Sequence, residues 1–217
     1  MRKIKIYMIL VLTVLVDVVS VFSSEPIITA DKIEFRKKEN IIIFSDNVKA
    51  IHDKYVLTAD YVKKDDLKNL INAEGNVKIY YNPSTGEKVH SSSDFAKYYT
   101  ADRETLLWGK PYLIYKSTSS EMKIYAEKIL FDEKNQKINF DDNVLITQET
   151  HTAESPHATY FHETRKLYLY CNNDSTEIPS VEYSNEQHVK FIAREITMLF
   201  NDKKFIFEKE VFGKLYK

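Results

Sequence analysis

The chain reads as an all-β protein, a repeated antiparallel meander of fourteen to eighteen short strands. Apolar residues alternate with a period of two, tight-turn residues punctuate that alternation, and one unit recurs six times. The composition agrees. Tyr and Phe together reach 27 of 217 residues, whereas Gly occurs only 4 times. Aromatic and β-branched side chains suit a pleated, half-buried surface. Few glycines, with no G-x-G-x-x-G and no G-x-x-x-x-G-K-[ST], argue against phosphate-cradling nucleotide folds. With 43% apolar and 29% charged residues the chain is neither disordered nor a membrane bundle.

The N-terminus precedes the repeats and has its own logic. Arg2, Lys3 and Lys5 form a basic start, an apolar run extends from Ile6 to Phe22, and Ser23-Ser24 lead to Glu25-Pro26. That layout predicts a secretory signal peptide over residues 1–23, with Val21 and Ser23 as the small pair before the cut. The run lies at the lower edge of a spanning helix, so an uncleaved anchor is the alternative. Residues 1–23 carry three basic groups and one acid; without them 28 basic groups face 31 acids, a net charge of about −3. Such a balance gives no general attraction for nucleic acid. Cys171 is the lone cysteine, so the exported chain has no internal disulfide and relies on burial and strand pairing. It reads as a partly buried bystander.

The unit shows first in Ile28-Thr29-Ala30-Asp31, Leu57-Thr58-Ala59-Asp60, Ile124-Tyr125-Ala126-Glu127 and Phe191-Ile192-Ala193-Arg194. Eighteen residues on from each small anchor stand Val48, Val77, Val144 and Val211, preceded by Asp46-Asn47, Gly75-Asn76, Asp142-Asn143 and Lys209-Glu210. Two weaker copies are anchored at Ser93, reaching Pro111, and at Ser155, reaching Asn173. Anchor spacings of 29, 34, 33, 29 and 38 residues place the variation in connecting turns. Counting from the anchor, positions 3, 5, 12, 14, 18 and 20 are mostly apolar, as in Ile129, Phe131, Ile138, Phe140, Val144 and Ile146. Position −2 is apolar too, so parity breaks once at the small residue, where a bulge or corner lets both segments face inward. The charge spacing from Asp60 to Leu70 hints at a helix, but alignment with the other copies overrides it. Residues 24–217 thus read as one domain of about six units.

No catalytic constellation emerges. Ser91-Ser92-Ser93 lies at a repeat anchor and outside any G-x-S-x-G context. His151, His157 and His162 are close in sequence, but Pro156 and the bend at the anchor disrupt convergence on a metal. Asp65-Asp66 and Asp141-Asp142 occupy turn positions, where carboxylates are expected to be solvated. An acid after the anchor recurs as Asp31, Asp60, Asp94 and Glu127; a residue that recurs with the repeat does architectural work. The chain therefore reads as non-enzymatic, with no cofactor and no metal. Its inward row, bulky at Phe35, Phe131 and Phe140 and small at Ala50, Ala73 and Ala96, suits either a filled sandwich or an apolar trough.

The stretches ITADKIEF…FSDNVKA, LTADYVKK…AEGNVKIYY and WGKPYLIYK resemble the OstA-like/LptA family of periplasmic lipopolysaccharide-transport proteins. The resemblance covers residues 27 to about 170 and the last unit, 191–217. It implies a twisted, V-shaped β-jellyroll (OstA-like) whose apolar interior holds lipid acyl chains. It also implies a head-to-tail homo-oligomer bridging inner and outer membranes, with lipopolysaccharide and inner-membrane and outer-membrane Lpt-type components as partners. Position by position, the groove residues it implies are Ile28, Ile33, Phe35, Phe44, Val77, Ile79, Ile114, Ile129, Phe131, Phe140, Val144 and Ile146. Leu113 stands beside Ile114, because the alternation points Leu113 inward. The unit at Ser155 departs from the pattern, with Asn172-Asn173 and a polar stretch, so residues 174–188 are expected as a loop or distorted turn. A membrane-anchored LptC-like partner and a structural or adhesion module with a filled core are the alternatives.

Overall fold

The computed structural model describes residues 27–52, 55–81, 88–116, 121–184, 188–199 and 204–216. The expected signal peptide or anchor, 1–23, lies outside the described residues. In chain order the strands are β1 (Ile27–Thr29), β2 (Lys32–Arg36), β3 (Ile41–His52), β4 (Tyr55–Asp65), β5 (Leu70–Tyr81) and β6 (Lys88–Tyr99). Then come β7 (Glu104–Trp108), β8 (Tyr112–Lys116), β9 (Glu121–Tyr125), β10 (Lys128–Asp132), β11 (Lys137–Gln148) and β12 (His151–Phe161). The last are β13 (Lys166–Tyr170), β14 (Ser180–Ser184), β15 (His188–Ile192), β16 (Glu195–Leu199), β17 (Lys204–Glu208) and β18 (Phe212–Tyr216). All pairings are antiparallel and join the strands into one 18-stranded sheet. The charge-spaced stretch from Asp60 to Leu70 is no helix: it runs through the end of β4 and the turn that leads into β5, as the repeat alignment requires.

The sheet folds lengthwise into two walls. Each rung is either one long strand or two short strands laid end to end, and among the described residues twelve rungs follow one another. The first wall contains β2, half of each long strand, and β7, β10, β13, β16 and β17. The second contains β1, the other halves, and β8, β9, β14, β15 and β18. The fold is a twisted, V-shaped β-jellyroll, and the parity break at each anchor is the line along which the walls meet. Pairing registers slip there, between Ser45 and Val48 in β3, Glu74 and Val77 in β5, and Asp141 and Val144 in β11.

The physical cause of each corner is local. Two successive residues adopt left-handed backbone at Asp46-Asn47, Gly75-Asn76, Gly109-Lys110, Asp142-Asn143 and Lys209-Glu210. Asn, Asp and Gly tolerate this conformation best. The recurring acid clamps it: Asn47 Nδ2 donates to Asp31 Oδ2 at 2.7 Å, Asn76 Nδ2 to Asp60 Oδ2 at 2.8 Å, and Asn143 Nδ2 to Glu127 Oε1 at 3.4 Å. In the last unit the polarity is exchanged, and Arg194 Nε donates to Glu210 Oε2 at 2.9 Å. Each clamp spans sixteen residues in sequence and ties one rung to the next.

A second row of turns runs along the mouth of the first wall. Asn40, Asn69, Arg103, Gln136 and Arg165, each ten residues after its anchor, end four-residue turns with positive φ. The carbonyls of Asn40, Asn69, Arg103 and Gln136 accept the N–H of Asp66, Thr100, Glu133 and His162 on the following turn. Fixed turns here leave the variation in unit length to the corners and to the connections at the other wall's mouth.

Two expectations need correction. Residues 174–188 are not loop throughout: 171–179 are irregular, but β14 resumes the pattern, with Val181 paired to Ala153 and facing inward. Pro179 takes the place that Pro111 holds earlier, its carbonyl accepting the Ala193 N–H as that of Pro111 accepts the Ala126 N–H. The unit therefore carries a six-residue insertion rather than a lost strand. Asp65 is not solvated either. It is buried at the end of β4, where Oδ1 accepts the Lys68 N–H at 3.1 Å and Oδ2 faces Lys68 Nζ at 3.4 Å. A side-chain oxygen that closes a turn this way replaces the water it gives up.

Candidate functional site

Cross-strand registers settle which side chains share a face. One inward row on the first wall runs Ile33, Phe44, Val62, Ala73, Ala96, Leu107, Ile129, Phe140, Ala158, Leu169, Ile196, Phe207. The facing row on the second wall runs Ile28, Ala50, Leu57, Ile79, Ser91, Leu113, Ile124, Ile146, Ala153, Val181, Phe191, Gly213. Together they make one apolar band along the length of the V.

Of the residues picked out in the sequence, Phe44, Val77, Ile79, Leu113, Ile129, Phe131, Phe140, Val144 and Ile146 lie in this interior and are buried. Ile28 is half-buried and packs against their edge. Ile33 and Phe35 face the same way but sit on the first rung, where no further strand among the described residues covers them; Phe35 is 60% exposed. Ile114 stands apart. It shares the outer face of β8 with Tyr112, opposite His90, while Leu113 points inward opposite Ser91 and Ile124.

The middle of the band is dry, with Leu107, Ile129, Leu169 and Ile196 fully buried. The two ends differ from the middle. At one end Ile27, Ile33 and Phe35 are exposed; at the other Val211, Phe212, Leu215 and Tyr216 are, and every residue of β18 is open. Near that second end the walls touch through rings: His151 from β12 stacks on Phe205 from β17 at 5.4 Å between centroids, and Phe191 meets Phe207 at 4.9 Å. Among the described residues every backbone pairing runs within a wall. Parting the walls therefore breaks side-chain contacts but no strand ladder.

The histidines separate. His151 faces inward at the mouth, His157 faces outward with Nδ1 3.1 Å from Asp141 Oδ1 and its ring on Tyr170, and His162 lies in a turn. On the outer face of the second wall Tyr80, His90, Tyr112 and Tyr125 form a ladder of rings. Burial, helped by the nearby Lys78 ammonium, holds the His90 imidazole below its ordinary value. Cys171 is half-buried with Sγ 3.8 Å from Arg194 Nη1.

Sequence reasoning missed one inward charge. Lys64 occupies position 5 of the second unit and faces the interior between Ile42 and Ile71. Thr105 lies three rungs on in the same row, and its buried hydroxyl has no hydrogen-bond partner. The available signal was a single charge at a position that is otherwise apolar.

The site is thus an apolar band between the two walls of an all-β fold. Residues 27–121 match the family described as LptA/(LptD N-terminal domain) LPS transport protein. The matched stretch spans β1 to β8, and the same rung geometry continues to residue 216. Among solved structures the chain is similar to LptH, the LptA homologous periplasmic component of the conserved lipopolysaccharide transport device from Pseudomonas aeruginosa. The identity is 14%, the match covers 70% of this chain and 85% of that one, and the TM-score is 0.31. No curated protein matches the chain.

Proposed function

We propose that this protein is a periplasmic carrier of lipopolysaccharide that holds acyl chains between its two walls and stacks head to tail between inner and outer membranes. The observation that supports it most is the apolar band itself, continuous across twelve rungs and exposed at both ends. Each methylene withdrawn from water is worth about 0.8 kcal/mol, so such a band is a low-energy path for an alkyl chain. Entry at the mouth requires the walls to separate, at the cost of side-chain contacts that the alkyl chain replaces. Inner-membrane and outer-membrane Lpt-type components are the partners that this reading supplies at the two ends.

Native mass spectrometry of the purified protein, with lipopolysaccharide competing against phospholipid, tests the reading. Selective retention of lipopolysaccharide is the expected result. Phe131→Asp is a poor probe, because it buries a carboxylate in the dry middle and costs stability. Phe35→Asp puts the charge on the open rung; it should leave the melting curve intact and lower lipopolysaccharide retention several-fold. A filled core is the second reading, favoured by the full burial of Leu107, Ile129, Leu169 and Ile196. It predicts a cooperatively folded protein that retains no lipid.

A further inference from the structure

Inward positions that repeat make the scaffold, so an inward residue that departs from the repeat marks a place where something else is met. The inner row at the mouth of the first wall runs Ile42, Lys64, Ile71, Tyr98, Thr105, Phe131. Among the described residues Lys64 is the one charge in that row. In front of it lies a cleft of about 350 Å³, floored by Ile71 and Tyr98 and edged by Asp66, Asn69, Thr100 and Arg103 from two neighbouring turns. The Thr100 N–H donates to the Asn69 carbonyl at 3.0 Å, which holds those two turns together.

The charge of the lining decides the kind of ligand. Lys64 and Arg103 are balanced there by Asp65 and Asp66. Both cations are also already engaged: Lys64 Nζ with Asp66 Oδ1 at 2.6 Å, and Arg103 Nε with Glu133 Oε2 at 3.2 Å. An anion entering the cleft would have to displace a carboxylate and gains no net attraction. A neutral ring with several hydroxyls suits the lining better, since ammonium, guanidinium, amide and hydroxyl groups offer both donors and acceptors. One aromatic ring, Tyr98, and one aliphatic side chain, Ile71, would meet its less polar face. One rung along the same row from Tyr98, the buried hydroxyl of Thr105 has no hydrogen-bond partner.

We infer that this cleft seats a neutral sugar ring of a glycolipid, so that the saccharide rests at the mouth while the alkyl part lies in the apolar band. The inference rests on the carrier reading above and adds the headgroup chemistry and its place.

The test uses the full chain, expressed with its own N-terminal segment, and three probes with one alkyl length: decyl glucoside, decyl ethoxylate and decyl phosphate. Calorimetric titration below the micellar range should show the glucoside bound about tenfold tighter than the ethoxylate, as one or two net hydrogen bonds would give. Lys64→Met, which restores the apolar pattern of the row, should bring the glucoside-to-ethoxylate ratio to about one, and a thermal melt confirms the variant is folded. Equal affinity for glucoside and ethoxylate in the parent overturns the sugar site and leaves the carrier reading standing. Preference for decyl phosphate overturns it in favour of an anion site. If none of the three binds, the carrier reading falls and the sugar site falls with it.

Discussion

At Gly75 two demands meet in one residue. Its φ of +74° is left-handed, and a Cβ there would collide with the Asp60 carboxylate that receives the Asn76 amide. Left-handed backbone alone costs a residue with a side chain about 1–2 kcal/mol, and the collision adds to it. Gly75→Ala should therefore lower stability in urea unfolding by more than that strain alone. In an Asp60→Ala background the carboxylate is gone and only the residue-60 Cβ, at 3.0 Å, still crowds the position, so the same substitution should cost less. An equal cost in both backgrounds would show that Asp60 does not restrain the corner. Gly109, with φ +76° against Asp94, obeys the same rule one unit later.

At the scale of the element, the strands were legible because a two-residue period and an 18-residue offset both survive translation from unit to unit. Parity told which side chains face inward, and recurrence told that Asp31, Asp60 and Glu127 are structural; their partners, sixteen residues away across a rung, became visible only in three dimensions. Lys64 escaped notice because a charged residue at an inward position looks, in one dimension, like a surface residue out of step. The fifth unit was misread because its corner lacks the left-handed pair and Pro179 stands six residues late. This gives a test. Deleting residues 173–178 and changing Cys171→Gly yields a Gly-Asn-Pro corner like Gly109-Lys110-Pro111. The loss removes the bond from Arg194 Nη1 to the Asn173 carbonyl at 3.2 Å, while the shorter loop is entropically cheaper to close by about 1 kcal/mol. Cooperative unfolding at close to the parent midpoint is expected, and loss of cooperativity would make the insertion an integral part of the wall.

For the whole molecule, the count of rungs sets how two copies can meet. Rungs alternate in direction, so with twelve of them among the described residues the edge formed by β17 and β18 runs antiparallel to that formed by β1 and β2. A second copy can then continue both walls as a thirteenth rung, which is how exposed edges become docking surfaces. The register inside the molecule extends to the proposed joint. Where Phe44 meets Val62, Ile42 meets Lys64 and Ser45 meets Tyr61, the equivalent positions place Phe207 opposite Ile33, Phe205 opposite Phe35, and Glu208 opposite Lys32 of the next copy. The apolar pairs prolong the inner band across the joint and cover Phe35, and the charged pair lies outside. Directly opposed like charges on a sheet cost up to about 1 kcal/mol, roughly fivefold in association. Glu208→Lys or Lys32→Glu alone should thus weaken self-association in low-salt sedimentation by about that factor. The two changes together, restoring opposite charges in reversed order, should recover it. Rescue would establish the joint and its register at once, whereas two additive losses would mean that Glu208 and Lys32 never face each other.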